Sequence, residues 1–116
     1  MRIVHLTSST FFGGPERQML GLASALTPEH ETRFLSFSEG GRCETFLSAV
    51  RQAGFVGERV RADTPHFLRA IRDITRTLSE WQADVLLCHG YKANLLGRVA
   101  ARRCRVPVLA VSRGWT

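Results

Sequence analysis

Three short segments carry the residues best suited to chemistry. The first is Gly13-Gly14-Pro15-Glu16, a glycine pair just before a helix-starting proline. Glycine lets the backbone approach a ligand closely, and the unpaired N–H groups and dipole of a helix start favour an anion such as phosphate. The second is His89-Gly90, which offers a polar ring at the end of an apolar run. The third is Arg113, whose planar fork of donors suits a carboxylate or phosphate. Each segment also has a plainer reading. Gly13-Gly14 serves as a tight strand-to-helix turn, His89 caps the next helix or bonds a loop carbonyl, and Arg113 is a solvated arginine. The glycine pair lacks both the G-x-G-x-x-G spacing of dinucleotide sites and the Lys-Ser/Thr of a P-loop, so spacing alone favours the turn. His5 lies inside an apolar stretch and reads as a satisfied core histidine. His30 and His66 fall at loop or helix-start positions and read as exposed.

The elements that must position these segments alternate along the chain. Apolar runs predict strands over 2–7, 32–37, 55–60, 84–88 and 107–112. Between them lie four helical patterns. The first opens at Pro15, packs Met19, Leu22, Ala23 and Leu26, and stops at Thr27-Pro28. The second packs Phe46, Leu47 and Val50 and ends at Gly54. The third runs over about 65–81 behind a Thr64-Pro65 cap, with Phe67, Leu68, Ile71, Ile74, Leu78 and Trp81 at helical spacing. The fourth runs over about 91–104 and packs Leu95, Leu96, Val99 and Ala100. Strand–helix alternation with continuous apolar strands predicts an α/β fold: a Rossmann-like, doubly wound parallel sheet of about five strands. Right-handed crossovers lead to strand order 3-2-1-4-5, with the switch point between the first and fourth strands. Ligands in such sheets bind beyond the carboxyl ends of the strands at that point, which is where the three segments fall.

Charge is unevenly spread. The chain of 116 residues carries 16 basic and 10 acidic residues, for a net +6. Residues 1–90 are balanced, and residues 91–116 hold six basic and no acidic residues. Arg98, Arg102 and Arg105 read first as a solvated face and second as a membrane or partner contact. Basic–aromatic interleaving is lacking and no nucleic-acid motif is present, so nucleic acid is not expected as a partner. The start of the chain lacks a signal peptide's apolar stretch, and no window approaches the roughly 18 apolar residues of a membrane span, which leads to a cytoplasmic expectation. Cys43, Cys88 and Cys104 form no C-x-x-C pair and no zinc-spaced cluster, so they read as reduced thiols, with Cys88 in the core. No metal or cofactor is expected.

Taken together, three stretches resemble family 4 glycosyltransferases. They are Gly13-Gly14-Pro15-Glu16-Arg17-Gln18 after the first strand, Ala83-Asp84-Val85-Leu86-Leu87-Cys88-His89-Gly90, and Arg105-Val106-Pro107-Val108-Leu109-Ala110-Val111 leading to Gly114. The resemblance covers nearly the whole chain and keeps the motifs in family order. It implies half of a GT-B architecture, in which two Rossmann-like domains face a cleft. Gly13 and Gly14 would then lie by the donor diphosphate and the sugar acceptor, with His89 and Gly90 lining the acceptor side. Arg113 would stand where the family commonly has a histidine touching the transferred sugar, and it is the one candidate for a catalytic role. The family's nucleotide-sugar site belongs mainly to a second domain, which nothing here resembles. Residues 1–116 are therefore expected to be a partial N-terminal domain, inactive alone. The parent would be a retaining transferase with a nucleotide-sugar donor and a sugar or lipid-linked acceptor, cytoplasmic or peripheral to the inner face of the membrane. Two other readings compete. One is a free-standing nucleotide- or dinucleotide-binding module with Glu39 as a ribose-binding acid. The other is a basic binding module acting through residues 91–116.

Overall fold

The computed structural model describes residues 1–62 and 66–111. Its elements follow the predicted alternation: β1 (Arg2–Thr7), α1 (Gly14–Leu26), β2 (Glu31–Phe37), a short 3-10 turn (Glu39–Gly41), α2 (Glu44–Gln52), β3 (Val56–Val60), α3 (Phe67–Glu80), β4 (Val85–His89), α4 (Tyr91–Arg103) and β5 (Val108–Val111). The five strands form one parallel sheet in the order β3-β2-β1-β4-β5, as the crossover argument requires. The fold is α/β, doubly wound and Rossmann-like. The expected Thr64-Pro65 cap lies outside the described residues.

Alternation along each strand divides the core in two. On one face, Met19 and Ala23 of α1 and Phe46, Leu47 and Val50 of α2 close over Phe34 of β2. On the other, Ile71, Ile74 and Leu78 of α3 and Ala93, Leu96 and Ala100 of α4 close over Val4, Leu6, Leu35, Phe37, Leu86 and Cys88. Both faces of the central strands are thus covered, which explains why β1 and β4 read as unbroken apolar runs.

Gly97 sets the depth of α4. A Cβ at this position would stand 2.6 Å from Cys88 Sγ and 2.9 Å from Leu6 Cδ2, both buried. Only a residue without a side chain lets the helix lie this close. This corrects the expected packing face of α4. At about 100° per residue, Leu95 and Val99 stand about 200° from Gly97 on either side and therefore face outward. Leu95 is 56% exposed and Val99 is also exposed. The same geometry applies in α3, where Ala70 is buried and Leu68, two residues earlier, is 78% exposed. Phe67, the first helical residue, is exposed as well. In α1, Leu22 is exposed while Glu16 takes a place among the buried residues. His30 is half-buried rather than exposed, while His66 is exposed as expected.

All three cysteines are free, and Cys88 is fully buried. Burial pushes its thiol pKa up to about 11. The thiol is neutral in the folded chain well above the pH at which it ionises in the unfolded one.

Two outcomes follow from this packing. Gly97→Ala lowers stability by about 1–3 kcal/mol despite alanine's better helix propensity, because neither Leu6 nor Cys88 has room to give. Gly14→Ala, with open space around it, stays within about 0.5 kcal/mol of wild type in the same urea titrations. The raised Cys88 pKa means the folded state loses stability as pH climbs from about 9 to about 11, since only the unfolded chain ionises there. A Cys88→Ala variant should show a flatter alkaline limb in unfolding midpoints over that window.

Candidate functional site

The sheet order places β1 beside β4, and this brings two histidines together. His5 pairs in register with Leu87, so His89, two residues further along β4, emerges on the same sheet face. His5 Nδ1 and His89 Nε2 lie 2.8 Å apart in a buried hydrogen bond. One ring donates and the other accepts, so the bond couples their tautomers. The His5 ring also stacks between Phe34 and His89, with centroids 5.0 Å away on each side. His5 is 1% and His89 6% exposed. His5 is thus the buried, satisfied histidine expected from the sequence, but its partner is the other candidate site residue.

These rings line a groove of about 360 Å³ on the α1 side of the sheet. Gln18, Met19 and Leu22 of α1 form one wall, with Leu87 and Val111 across from them. A few polar groups set in apolar walls are the usual make-up of a small-molecule site. Gly13 and Gly14 do not line this groove.

The glycine loop is instead organised by Glu16. Glu16 Oε1 accepts from the Gly13 backbone N–H at 2.9 Å, and Oε2 accepts from the Ser9 hydroxyl at 3.0 Å. Ser9 Oγ is in turn 2.9 Å from Thr7 Oγ1 at the end of β1. Glu16 is at the third helical position and reaches back to the N-cap residue, as in a capping box with glycine in place of serine. The sequence signal was present in Gly-x-x-Glu, but its burial was not. The consequence is chemical: a carboxylate already occupies the start of α1, where the glycine pair alone suggested a phosphate.

On the β4 side, Gly90 adopts φ +89 and serves as N-cap of α4, a backbone state suited to glycine. Asn94 donates to the Gly90 carbonyl at 2.8 Å and steadies the turn. Lys92, in the first turn of α4, meets Glu39 Oε1 at 2.6 Å and lies 4.5 Å over the Phe37 ring. Glu39 therefore acts as the acceptor of a cross-sheet ion pair, which weighs against its use as a ribose-binding acid. Arg113 lies outside the described residues. Among the described residues, no group of three or more His, Cys, Asp or Glu could hold a metal ion, and no helix is long and apolar enough to cross a membrane.

Residues 13–116 match the family model for the glycosyl transferase 4-like domain. The chain belongs to this family. No curated protein matches it in sequence. Among solved structures, it is similar to a glycosyltransferase from Rickettsia africae, with TM-score 0.79 and 14% identity over 99% of this chain and 30% of that one. It is also similar to Anabaena HepE, solved in complex with UDP, with TM-score 0.74 and 20% identity over 95% and 29%. A third is the UDP-GlcNAc 2-epimerase of Neisseria meningitidis bound to UDP-GlcNAc, with TM-score 0.72 and 15% identity over 96% and 32%. The chain spans about a third of the length of these structures. At these identities the likeness is one of fold, a single Rossmann-like sheet with its helices.

The buried Glu16 network generates a prediction. Glu16→Gln keeps the shape but replaces one of the two acceptor oxygens with a donor, and should cost about 1–3 kcal/mol. Amide hydrogen exchange should show Gly13 opening more readily, while the amides of β2 keep their protection.

Proposed function

We propose that this glycosyl transferase 4-like domain is the acceptor-side, N-terminal part of a retaining glycosyltransferase. The whole enzyme moves a sugar from a nucleotide-diphosphate sugar to a sugar or lipid-linked acceptor, and the nucleotide-sugar domain follows in the longer polypeptide. The observation that carries this reading is the family match over residues 13–116 on a sheet whose switch point bears the groove of His5 and His89. The epimerase shares the half-fold, so the fold alone does not choose a reaction; the family match favours transfer.

The site chemistry supports the acceptor assignment. The carboxylate of Glu16 at the start of α1 disfavours a diphosphate against Gly13-Gly14 and suits a neutral, hydroxyl-bearing group. The paired imidazoles and Gln18 supply donors and acceptors for sugar hydroxyls, and the apolar wall suits a sugar's less polar face. The nucleotide diphosphate is then held chiefly by the other domain. Arg113 remains a candidate for contact with an anionic group of donor or acceptor. We place the protein in the cytoplasm, at the inner face of the membrane.

Transfer from a panel of UDP-sugars, measured in the longer polypeptide that carries this chain, tests the reading. His89→Ala and Gly13→Trp should each reduce kcat/KM at least about tenfold through lost acceptor positioning. Unchanged kinetics in both variants would remove this groove and loop from the acceptor site. Tight NAD binding without sugar transfer would replace the reading with the dinucleotide module.

A further inference from the structure

We propose that the flank between β3 and α3 binds a compact, soluble polyanion: a small molecule carrying at least two phosphate groups. A cavity of about 430 Å³ opens there. Its wall holds Arg61, just after β3, together with His66, the N-cap residue of α3, and Arg69, Arg72 and Arg76 of the helix itself. The three helical arginines recur at intervals of three and four residues and so share one face. Four guanidinium groups thus meet one carboxylate, Asp73, whose Oδ2 already accepts the Ala62 backbone N–H at 3.0 Å. A smaller recess of about 110 Å³ shares Arg61 and Arg76 and adds Arg59.

Two observations set this cluster apart. The arginines that precede it in the chain all have partners. Arg2 and Arg33 pair with Glu31, Arg51 pairs with Glu44, Arg42 donates to the Glu39 carbonyl, and Arg17 lies over the Phe12 ring. Among the described residues, Arg59, Arg61, Arg69, Arg72 and Arg76 enter no ion pair. The second observation is that α3 carries its charges against its own dipole. Its positive end has Arg69 in the first turn and no acidic residue, while its last turn has Glu80 and no basic residue. The other helices follow the dipole: α1 and α2 each have a glutamate in the first turn, and α4 has Arg102 and Arg103 in the last. Like charges gathered at a positive helix end destabilise the fold, and a bound anion reverses that effect. The shape and lining define the anion. The volume suits one small molecule, and among the described residues of the wall only Ala62 is apolar, which excludes an apolar ligand. Guanidinium forks reaching in from two elements suit phosphate oxygens at several points at once. This site shares no residue with the groove of His5 and His89, and its strand lies two places from β1.

Calorimetric titration of the chain with pyrophosphate at constant ionic strength tests this, and it involves no sugar transfer, so its outcome is separate from that of the acceptor reading. One saturable site is expected, with orthophosphate at least about tenfold weaker because it spans fewer guanidinium groups. Arg72→Gln with Arg76→Gln should weaken pyrophosphate at least about tenfold. Arg98→Gln with Arg102→Gln removes the same charge from α4 and should change the affinity less than about twofold, since the site is local. All four side chains are exposed, so both variants keep the fold. Pyrophosphate should raise the thermal midpoint of the wild type and of the α4 variant, and leave that of the α3 variant in place. An absence of saturable binding, equal affinity for orthophosphate, or equal weakening by the two double variants would overturn the proposal.

Discussion

The site depends on one topological constraint: the crossovers run in opposite directions from β1. One series of right-handed connections leads through β2 to β3, and the other leads to β4 and β5. The helices of the two series must therefore lie on opposite faces of the sheet. α1 and α2 sit on one side, α3 and α4 on the other, and the loops after β1 and β4 part above the same point. The His5–His89 bond, the turn at Gly90 and the capped loop at Gly13 all exist because β1 and β4 are neighbours in space although more than 80 residues separate them in the chain.

Local chemistry made the fold legible. Pro15, Gly54 and the apolar runs mark starts, stops and strands, and right-handedness reduces the strand orders to one that the sheet adopts. The side each helix buries was less legible, because periodicity counts every large apolar residue as core. Gly97 decides the matter in α4. The helix turns its smallest residue to the sheet, and Leu95 and Val99 go outward as a result. No scale of hydrophobicity contains that preference for close approach.

In the candidate site, chain positions were legible and side-chain pairings were not. The strand-end positions of His89 and Gly13 can be read from the sequence, but the pairing of His5 with His89 comes only from the register that sets His5 opposite Leu87. Glu16 is the sharper case. Its place in the first turn suggests a modest dipole interaction, whereas its two oxygens organise Ser9 and Gly13 from within the protein. That carboxylate fills the start of α1 from within the protein.

The ion pair between Lys92 and Glu39 has a consequence of another kind. Of the 16 basic side chains, Lys92 is the only lysine. The chain thus has a single ε-amine, held 2.6 Å from a carboxylate and laid over an aromatic ring, with only a quarter of its side chain exposed. Acylating reagents, natural or synthetic, meet guanidinium groups everywhere else, and those do not react as amines do. A mild amine label would therefore distinguish the chain terminus from one interior contact, and the extent of labelling at Lys92 would report how often the loop after β2 lets go of the start of α4.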